Sequence, residues 1–218
     1  MCSSDLAQCV YTMGEYPSRT RWEPGEEDEQ ELDRLKAHGI QLVHVMDEWN
    51  DRYGMFGGNK LTAVNPAGFR RFVAMVHARG RKILAYASSG YFVGNDPDYR
   101  KEWSRPGDEF GGWWDLTRCS PASPGWRAHF LPRMLQILED YEVDGLYNDW
   151  GYIPNAQKRA KGPADDDVVA FEETPEYDGA VTDLLHLIYS EVKRRGGIYK
   201  MHADRANAPQ TAGLKVYD

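Results

Sequence analysis

The stretch YEVDGLYNDWGY, residues 141–152, contains a short apolar run that leads directly into a carboxylate with aromatic residues on both sides. Successive side chains of a strand alternate between its two faces, so Asp149 is expected on the same face as Val143, Gly145 and Tyr147. Enzymes built on parallel sheets keep their catalytic residues at the carboxyl ends of the strands, where Asp149 would stand. The competing interpretation, that Asp149 caps the following turn, is equally open from this stretch alone.

Around this stretch, strand-like runs alternate with amphipathic helices, a pattern typical of a parallel sheet. Strands are predicted at 8–13, 40–46, 82–87, 143–148, 198–202 and 214–217, and helices begin near 26, 66, 124 and 175. Pro132 falls inside the third helical pattern and is expected to kink that helix or to mark its start. Six such strands predict most of a (β/α)8 TIM barrel, a fold of about 250 residues. A doubly wound sheet is the competing fold, but residues 13–16, MGEY, lack its glycine-rich first turn.

Both ends of the chain suggest that it is incomplete. A barrel that stops directly after a sixth strand would leave strand edges unpaired, which predicts truncation at the carboxyl end. Residues 1–6, MCSSDL, match the translation of a common sequencing adapter if GTG is read as the start codon. We therefore expect residues 1–6 to be a non-native scar and residues 7–218 to be a partial barrel domain. A leader peptide would then be missing, so a secreted or periplasmic origin of the parent protein stays open.

Composition excludes several classes of function. The chain has 218 residues, a net charge of −8 and three cysteines. An acidic protein of this kind is not expected to bind a nucleic acid backbone, which requires basic patches. No run approaches the roughly 18 apolar residues of a membrane span. The cysteines have no metal-like spacing, so neither a metal nor another cofactor is predicted.

Aromatic residues are concentrated where a parallel sheet would place its active face. Each tryptophan lies in a segment that follows a predicted strand and precedes or opens the next helix, at positions 22, 49, 103, 113, 114, 126 and 150. In a barrel these segments meet at one end, where rings could stack on the C–H faces of a sugar. The other interpretation is that tryptophans anchor long loops.

Acidic residues follow the same strands. Glycoside hydrolysis requires two carboxylates across a cleft, and Asp149 and Asp218 are the predicted catalytic pair. In the full-length parent protein, Asp149 would be the nucleophile or would stabilise the transition state, and Asp218 would be the acid/base. Residues 7–218 alone are expected to be inactive. If Asp47 faces inward, Val43 and Val45 share its face and His44 points to the helices. The residues predicted to line the carbohydrate site are Asp47, Glu48, Trp49, Tyr86, Ser88, Trp114, Trp150, Tyr152, His202 and Asp204.

Two other functions remain open from the residues. The aromatic residues alone would suit a barrel that binds glycans without hydrolysing them. His44, His202 and Asp149 could form a metal-dependent hydrolase site, although no His-x-His or His-Glu-x-x-His spacing supports one. The structural interpretation is that strand-end aspartates cap helices or pair with arginines.

The fourth predicted strand also carries a family resemblance. The motif VDGLYND, residues 143–149, is similar to the fourth-strand motif of retaining α-glycosidases, such as the α-glucosidase/α-xylosidase and α-galactosidase families. The order of KILAY (82–86), CSPASPGWR (119–127) and the Asp149 strand resembles the "hypothetical glycosyl hydrolase" barrels. The resemblance covers roughly residues 40–152 and implies a glycoside hydrolase barrel with Asp149 as nucleophile. It places the acid/base on or after the sixth strand, at Asp218 or beyond it, and does not identify a sugar.

Overall fold

The computed structural model describes residues 6–11, 23–46, 49–50, 61–104, 109–110, 116–149, 175–202 and 214–218. Its helices are α1 (Glu26–Ala37), α2 (Pro66–Ala78), α3 (Pro124–Asp140) and α4 (Pro175–Arg194), with a 3-10 turn at Lys101–Trp103. Its strands are β1 (Gln8–Tyr11), β2 (Leu42–Val45), β3 (Lys82–Ala87), β4 (Tyr91–Val93), β5 (Glu109–Phe110), β6 (Leu116–Arg118), β7 (Gly145–Asn148) and β8 (Ile198–Met201).

The main sheet has five parallel strands in the order β1-β2-β3-β7-β8. The strand order follows the chain order, as in a barrel, and a helix lies between each pair of neighbours. Five of the predicted strands and all four predicted helices are confirmed. Residues 214–217, predicted as a sixth strand, have no strand assignment, although the backbone N–H of the following Asp218 donates to the carbonyl of Tyr199 at 2.8 Å.

All four helices pack on one face of this sheet. The main hydrophobic core contains residues of every helix and of the strands beneath them, namely Leu32 of α1, Phe72 of α2, Phe130 of α3, Ile188 of α4 and the strand residues Val43, Val45, Ile83, Ala85, Leu146 and Tyr199. A smaller cluster on the opposite face contains Leu6, Leu42, Leu84 and Ile198. A doubly wound sheet would have helices on both faces, so the arrangement is that of a barrel wall.

The sheet is curved, and a contact between its two outer strands shows the curvature. Lys200 Nζ of β8 donates to Gln8 Oε1 of β1 at 2.7 Å. In a flat sheet these strands would lie about 19 Å apart, because neighbouring strands are spaced by about 4.8 Å. Two side chains cannot bridge that distance unless the sheet curls. The face that carries Gln8 and Lys200 is called the concave face below.

Local sequence explains where the helices begin. The Asn65 side chain accepts from Gly68 N at 3.1 Å and the Ser123 side chain accepts from Trp126 N at 3.3 Å, and each residue precedes a proline at the first helical position. Helix α1 has four acidic residues in its first turn, where the helix dipole favours negative charge. Helix α3 begins at Pro124 and continues through Pro132, so Pro132 does not mark its start.

The sequence did not predict a second sheet between β3 and α3. Strands β4, β6 and β5 form it in that order, and both pairs are antiparallel. An aromatic cluster lies beside it, in which Phe92 packs edge-on against Trp103 and Trp126 with ring centroids 5.5 and 5.8 Å apart. Strands of two or three residues are too short to show a period-two pattern, which is why the sheet was missed.

The described part of β2 has the orientation opposite to the one that was tied to an inward-facing Asp47. His44 lies on the concave face, with its ring centroid 5.7 Å from that of Tyr147, while Val43 and Val45 belong to the core beneath the helices. Because alternation is strict within a strand, this result fixes the faces of the whole of β2. Asp47, whose orientation had been tied to Val45, lies outside the described residues.

Two further predictions concern the start of the chain and membranes. Residues 1–5 of the proposed adapter scar lie outside the described residues, and Leu6 is buried against Leu42 and Leu84. The origin of residues 1–6 therefore stays a prediction. Among the described helices, none combines the length and apolar character that crossing a membrane would require.

Candidate active site

Asp149 directly follows β7, the fourth strand of the parallel sheet, and its backbone is fixed to the end of β3. Its N–H donates to the carbonyl of Ala87 at 3.0 Å. Its own carbonyl accepts from Ser88 Oγ at 2.7 Å. These two hydrogen bonds fix the backbone N–H and C=O of Asp149, so the backbone that carries the carboxylate is held in place.

The carboxylate itself is bound by a buried tyrosine. Tyr86 OH donates to Asp149 Oδ2 at 3.0 Å, and Tyr86 is only 3% exposed. The carbonyl of Tyr86 in turn accepts from Trp49 Nε1 at 2.8 Å. A hydrogen bond from a packed donor orients the carboxylate without the cost of ordering it when a ligand binds. Asp149 is partly exposed, so the oriented group remains accessible.

Asn148 locks the same strand end from the opposite face. Its Nδ2 donates to Ser89 Oγ at 2.9 Å and to Tyr199 OH at 2.6 Å, and its Oδ1 accepts from Ser89 N at 3.0 Å. The side chain is fully buried. The sequence analysis missed this residue. Its position directly before Asp149, on the face of β7 that turns to the core, was the available signal, because a buried amide must form hydrogen bonds.

His202 stands beside Asp149 at the end of the next strand. The backbone N–H of His202 donates to the carbonyl of Asn148 at 2.8 Å, which continues the parallel ladder of β7 and β8. On the concave face, Tyr147 OH lies 2.6 Å from His202 Nδ1. Burial, together with the negative charge of Asp149, raises the pKa of Tyr147 to about 12. Tyr147 is therefore a protonated phenol at neutral pH and can donate to the imidazole.

Further from the carboxyl ends of the strands than Asp149 and His202, the concave face is polar and carries the positive charge of Lys200. Gln8 Oε1 accepts from Lys200 Nζ at 2.7 Å and from His44 Nε2 at 2.8 Å. Burial and the nearby charge of Lys200 lower the pKa of His44 to about 4, so His44 is neutral at pH 7. Burial also lowers the pKa of Lys200. Gln8 and Lys200 were not singled out from the sequence, because nothing in the chain shows that they meet.

The inserted antiparallel sheet brings further groups to the same end. Tyr91 opens β4 and is paired in register with Arg118 of β6. Burial raises the pKa of the Tyr91 phenol, the negative charge of Asp149 raises it further, and the Arg118 guanidinium acts in the opposite direction through a hydrogen bond and its charge. Tyr91 therefore lies within electrostatic range of both Asp149 and Arg118.

Several solved structures that the chain matches are named as glycoside hydrolases, α-amylases or α-galactosidases. The chain matches an α-galactosidase from Thermus thermophilus in complex with stachyose (TM-score 0.61, 15% identity, 100% of this chain and 44% of the other). It also matches a maltogenic α-amylase from Thermotoga neapolitana (TM-score 0.59, 16% identity, 92% of this chain and 46% of the other). A third match is the glycoside hydrolase domain of PelA from Pseudomonas aeruginosa (TM-score 0.53, 15% identity, 95% of this chain and 64% of the other).

The fold is that of the TIM-barrel glycoside hydrolases. At these identities the likeness concerns the fold, and the chain spans between 44% and 64% of the length of these three structures. No protein-family model and no curated protein matches the sequence. Asp149 thus stands at the carboxyl end of the fourth strand of the parallel sheet, the end at which TIM barrels place their active sites.

Two predicted site residues have structural contacts instead. Trp49 is only 2% exposed, and its indole stacks on Phe69 with ring centroids 4.7 Å apart. It packs inside the core, so it offers no face to a sugar ring. Trp103 and Trp126, the other described tryptophans, are also buried. Trp49 and Trp103 thus have the burial expected of loop anchors, and Trp126 is a core residue of α3.

Asp218 is the second residue whose contacts do not match its predicted role. Lys193 Nζ of α4 donates to both Asp218 carboxylate oxygens at 3.0 Å, and Tyr199 N donates to Oδ2 at 2.9 Å. The carboxylate is 3% exposed. Lys193 lies in the last turn of α4, which in this fold is at the amino end of the strands, away from Asp149. The contacts are those of a structural ion pair and do not support an acid/base role.

The remaining predicted residues divide into two groups. Tyr86, Ser88 and His202 are brought together with Asp149 as described above, although the Ser88 hydroxyl binds the protein backbone. Six others lie outside the described residues, so their contribution stays a prediction: Asp47, Glu48, Trp114, Trp150, Tyr152 and Asp204.

The three proposed metal ligands are engaged in other contacts. His44 Nε2 is bound to Gln8, His202 Nδ1 to Tyr147, and Asp149 Oδ2 to Tyr86. Within the described part of the chain, no group of three or more His, Cys, Asp or Glu side chains could hold a metal ion.

A cavity of about 320 Å³ lies at the opposite, amino end of the sheet. Val143, Asp144 and Arg195 are among its lining residues. Their charged groups are already paired: Asp144 with Lys82 and His77, and Arg195 with Glu139 and Glu191. Paired charges at the amino end of a barrel serve stability, so this cavity does not compete with the Asp149 site.

Proposed function

We propose that this chain carries the catalytic carboxylate of a glycoside hydrolase, and that Asp149 is this carboxylate. One observation supports the proposal above the others: Asp149 is oriented by the Tyr86 hydroxyl at 3.0 Å, on a strand end fixed by Ser88 and Asn148. A group that needs no reorganisation when a sugar binds is suited to stabilising the positive charge of the transition state.

In this mechanism the two oxygens of Asp149 have different roles. Tyr86 holds Oδ2, and Oδ1 is assigned to the anomeric carbon of the bound sugar. The carboxylate either forms a covalent glycosyl intermediate or stabilises an oxocarbenium-like transition state. His202, beside Asp149 and oriented by Tyr147, is placed to bind a sugar hydroxyl.

The hydrolysis also needs a proton donor for the leaving oxygen. Because Asp218 is neutralised by Lys193, we assign this role to one of the acidic residues that follow β2 and β8 in the sequence, namely Asp47, Glu48 or Asp204. Asp204 follows β8, the strand next to β7, in the sequence and is therefore the first of the three to test by substitution.

The rival functions have less support. A purely glycan-binding barrel was suggested by the tryptophans, and the three that the structure describes are buried. A metal-dependent hydrolase would need His44 and His202 to give up the contacts that they make with Gln8 and Tyr147. The glycoside hydrolase proposal accounts for the same contacts, so none of them favours either rival function.

The decisive experiment is Asp149→Asn, with aryl glycosides as substrates. One matching α-galactosidase was solved with p-nitrophenyl α-D-galactopyranoside, so aryl α-galactosides and α-glucosides are suitable first probes. We expect kcat to fall by about 10³-fold, equivalent to about 4 kcal/mol of barrier, while sugar binding measured by calorimetry changes little.

The matched control is Asp144→Asn at the amino end of the same strand. Asp144 binds Ile83 N at 2.9 Å and Lys82 Nζ at 3.1 Å, so this change should lower stability and leave kcat unaltered. Wild-type turnover in Asp149→Asn would refute the proposal. Glycan binding without turnover in the unsubstituted protein would favour the binding alternative.

A further inference from the structure

Lys200 is a cation on the concave face whose described partner is neutral. Its Nζ donates to the amide oxygen of Gln8 at 2.7 Å. Partial burial of an ammonium group is unfavourable, and a neutral amide compensates it less well than a carboxylate would. Proteins keep such unfavourable groups chiefly where they bind or react with a ligand.

Lys200 is the charged member of a cluster in which Gln8 and His44 are neutral. His44 donates to the same Gln8 oxygen at 2.8 Å, so two nitrogen donors converge on one acceptor. The charge of Lys200 also helps to keep His44 unprotonated, which shows that the two groups interact. An anion placed here would accept a hydrogen bond from Lys200, so that Gln8 Oε1 would no longer be shared by two donors.

The position of this cluster relative to Asp149 is fixed by the strand register. Lys200 is paired with Tyr147, and Asp149 lies two residues further along the same face. Two residues of a strand correspond to about 6.6 Å, so Lys200 lies one tier below the catalytic carboxylate. A sugar that presents its anomeric carbon to Asp149 would direct an exocyclic substituent down towards the Lys200 ammonium.

We propose that Lys200, with Gln8, forms a subsite for the carboxylate of a uronic acid, so that the substrate is an anionic glycan. The inference rests on the proposed function, because it places the sugar ring at Asp149. It explains why an acidic protein keeps a lysine on the concave face beside its catalytic carboxylate. A uronate carboxylate has two acceptor oxygens, which match the Lys200 ammonium and the Gln8 amide nitrogen.

Matched pairs of aryl glycosides test this subsite. The p-nitrophenyl glucuronides and galacturonides differ from the corresponding glucosides and galactosides at C6, where a carboxylate replaces a hydroxymethyl group. We expect calorimetry to show at least about tenfold tighter binding of one uronide than of its neutral partner, as for a charge-assisted hydrogen bond. The preference should weaken as the salt concentration rises.

Three variants connect the preference to Lys200. Lys200→Met should reduce the preference to less than about twofold, and Lys200→Arg should retain part of it because the charge remains. Lys36→Met removes a lysine from the exposed surface of α1 and should leave the preference unchanged. Denaturation curves of each variant check that the fold persists, and Lys200→Gln is the substitute if Lys200→Met does not fold.

Each outcome supports or overturns the inference. Equal or tighter binding of the neutral glycosides by the unsubstituted protein, or a uronide preference that survives Lys200→Met, overturns it. Absence of binding by every glycoside overturns it as well. Uronides that bind through Lys200 without being hydrolysed would support the subsite and contradict the proposed hydrolase, so the two failures are distinguishable.

Discussion

Gly145, at the start of β7, allows β7 and β8 to lie unusually close together. A Cβ atom at this position would lie 1.8 Å from the carbonyl oxygen of Ile198 and 2.8 Å from its nitrogen. Both atoms belong to the backbone of β8, so no side-chain rotation can relieve the clash. In Gly145→Ala the strands must move until the Cβ and the oxygen are at least 3.0 Å apart.

That movement disturbs the backbone hydrogen bonds between β7 and β8, which position the candidate site. The Ile198 N–H donates to the Asp144 carbonyl at 2.9 Å, and the His202 N–H donates to the Asn148 carbonyl at 2.8 Å. Overpacking against a rigid backbone costs about 3 kcal/mol, at the upper end of the usual range. With a urea m-value of about 2 kcal/mol/M, the unfolding midpoint of Gly145→Ala should fall by about 1.5 M.

The assay is urea unfolding followed by tryptophan fluorescence and circular dichroism. Gly179→Ala is the matched control, because Gly179 lies in α4 and a Cβ there meets nothing within 4 Å. Alanine should stabilise that helix by about 0.5–1 kcal/mol. A Gly145→Ala midpoint within about 0.2 M of the unsubstituted protein, with the control behaving as expected, would refute the close-approach argument.

Two further outcomes concern buried ionisable groups. His44 has a folded-state pKa of about 4, below that of an unfolded histidine, so its stabilisation is present above about pH 6.5 and is lost as the pH falls towards 4. His44→Gln should therefore remove about 3 kcal/mol from the pH dependence of the unfolding free energy in that window, and an unchanged slope would contradict the shift. Lys193→Met removes the lysine that contacts both oxygens of the buried Asp218 carboxylate and leaves only Lys215 Nζ, 3.9 Å from Oδ1, as a described cation, so it should destabilise the protein by about 2 kcal/mol. Adding Asp218→Asn should restore most of this loss; equal unfolding curves for the wild-type and Lys193→Met proteins would count against a structural ion pair.

Local pattern was sufficient for most of the fold. The Asn65-Pro66 and Ser123-Pro124 pairs mark helix starts that the structure confirms, because a cap and a first-turn proline act within one turn. The strand that precedes Asp149 was predicted from an apolar run and period-two alternation, which are also local. The orientation of β2 could only be stated conditionally from the sequence, because the choice between the faces of a strand depends on which of them the helices cover.

The candidate site was predicted less completely, for a similar reason. Trp49 was expected at a sugar surface, and only its stacking on Phe69 shows that it is a core residue. Asn148 was overlooked because its role depends on Ser89 and Tyr199, which come from other parts of the chain. Asp218 was matched to a family position by strand order, and its ion pair with Lys193 becomes visible only in the folded chain.

By itself the sequence determined the alternation of strands and helices, the parallel sheet that follows from it, and the strand-end position of Asp149. These features depend on interactions within a few residues of the chain, so a linear pattern records them. The tertiary structure decided which face each strand turns to the helices, and it brought Lys200 to Gln8, 192 residues away in the chain. Contacts of that kind arise because the sheet curls, and curvature is a property of several strands packed together that no single segment encodes.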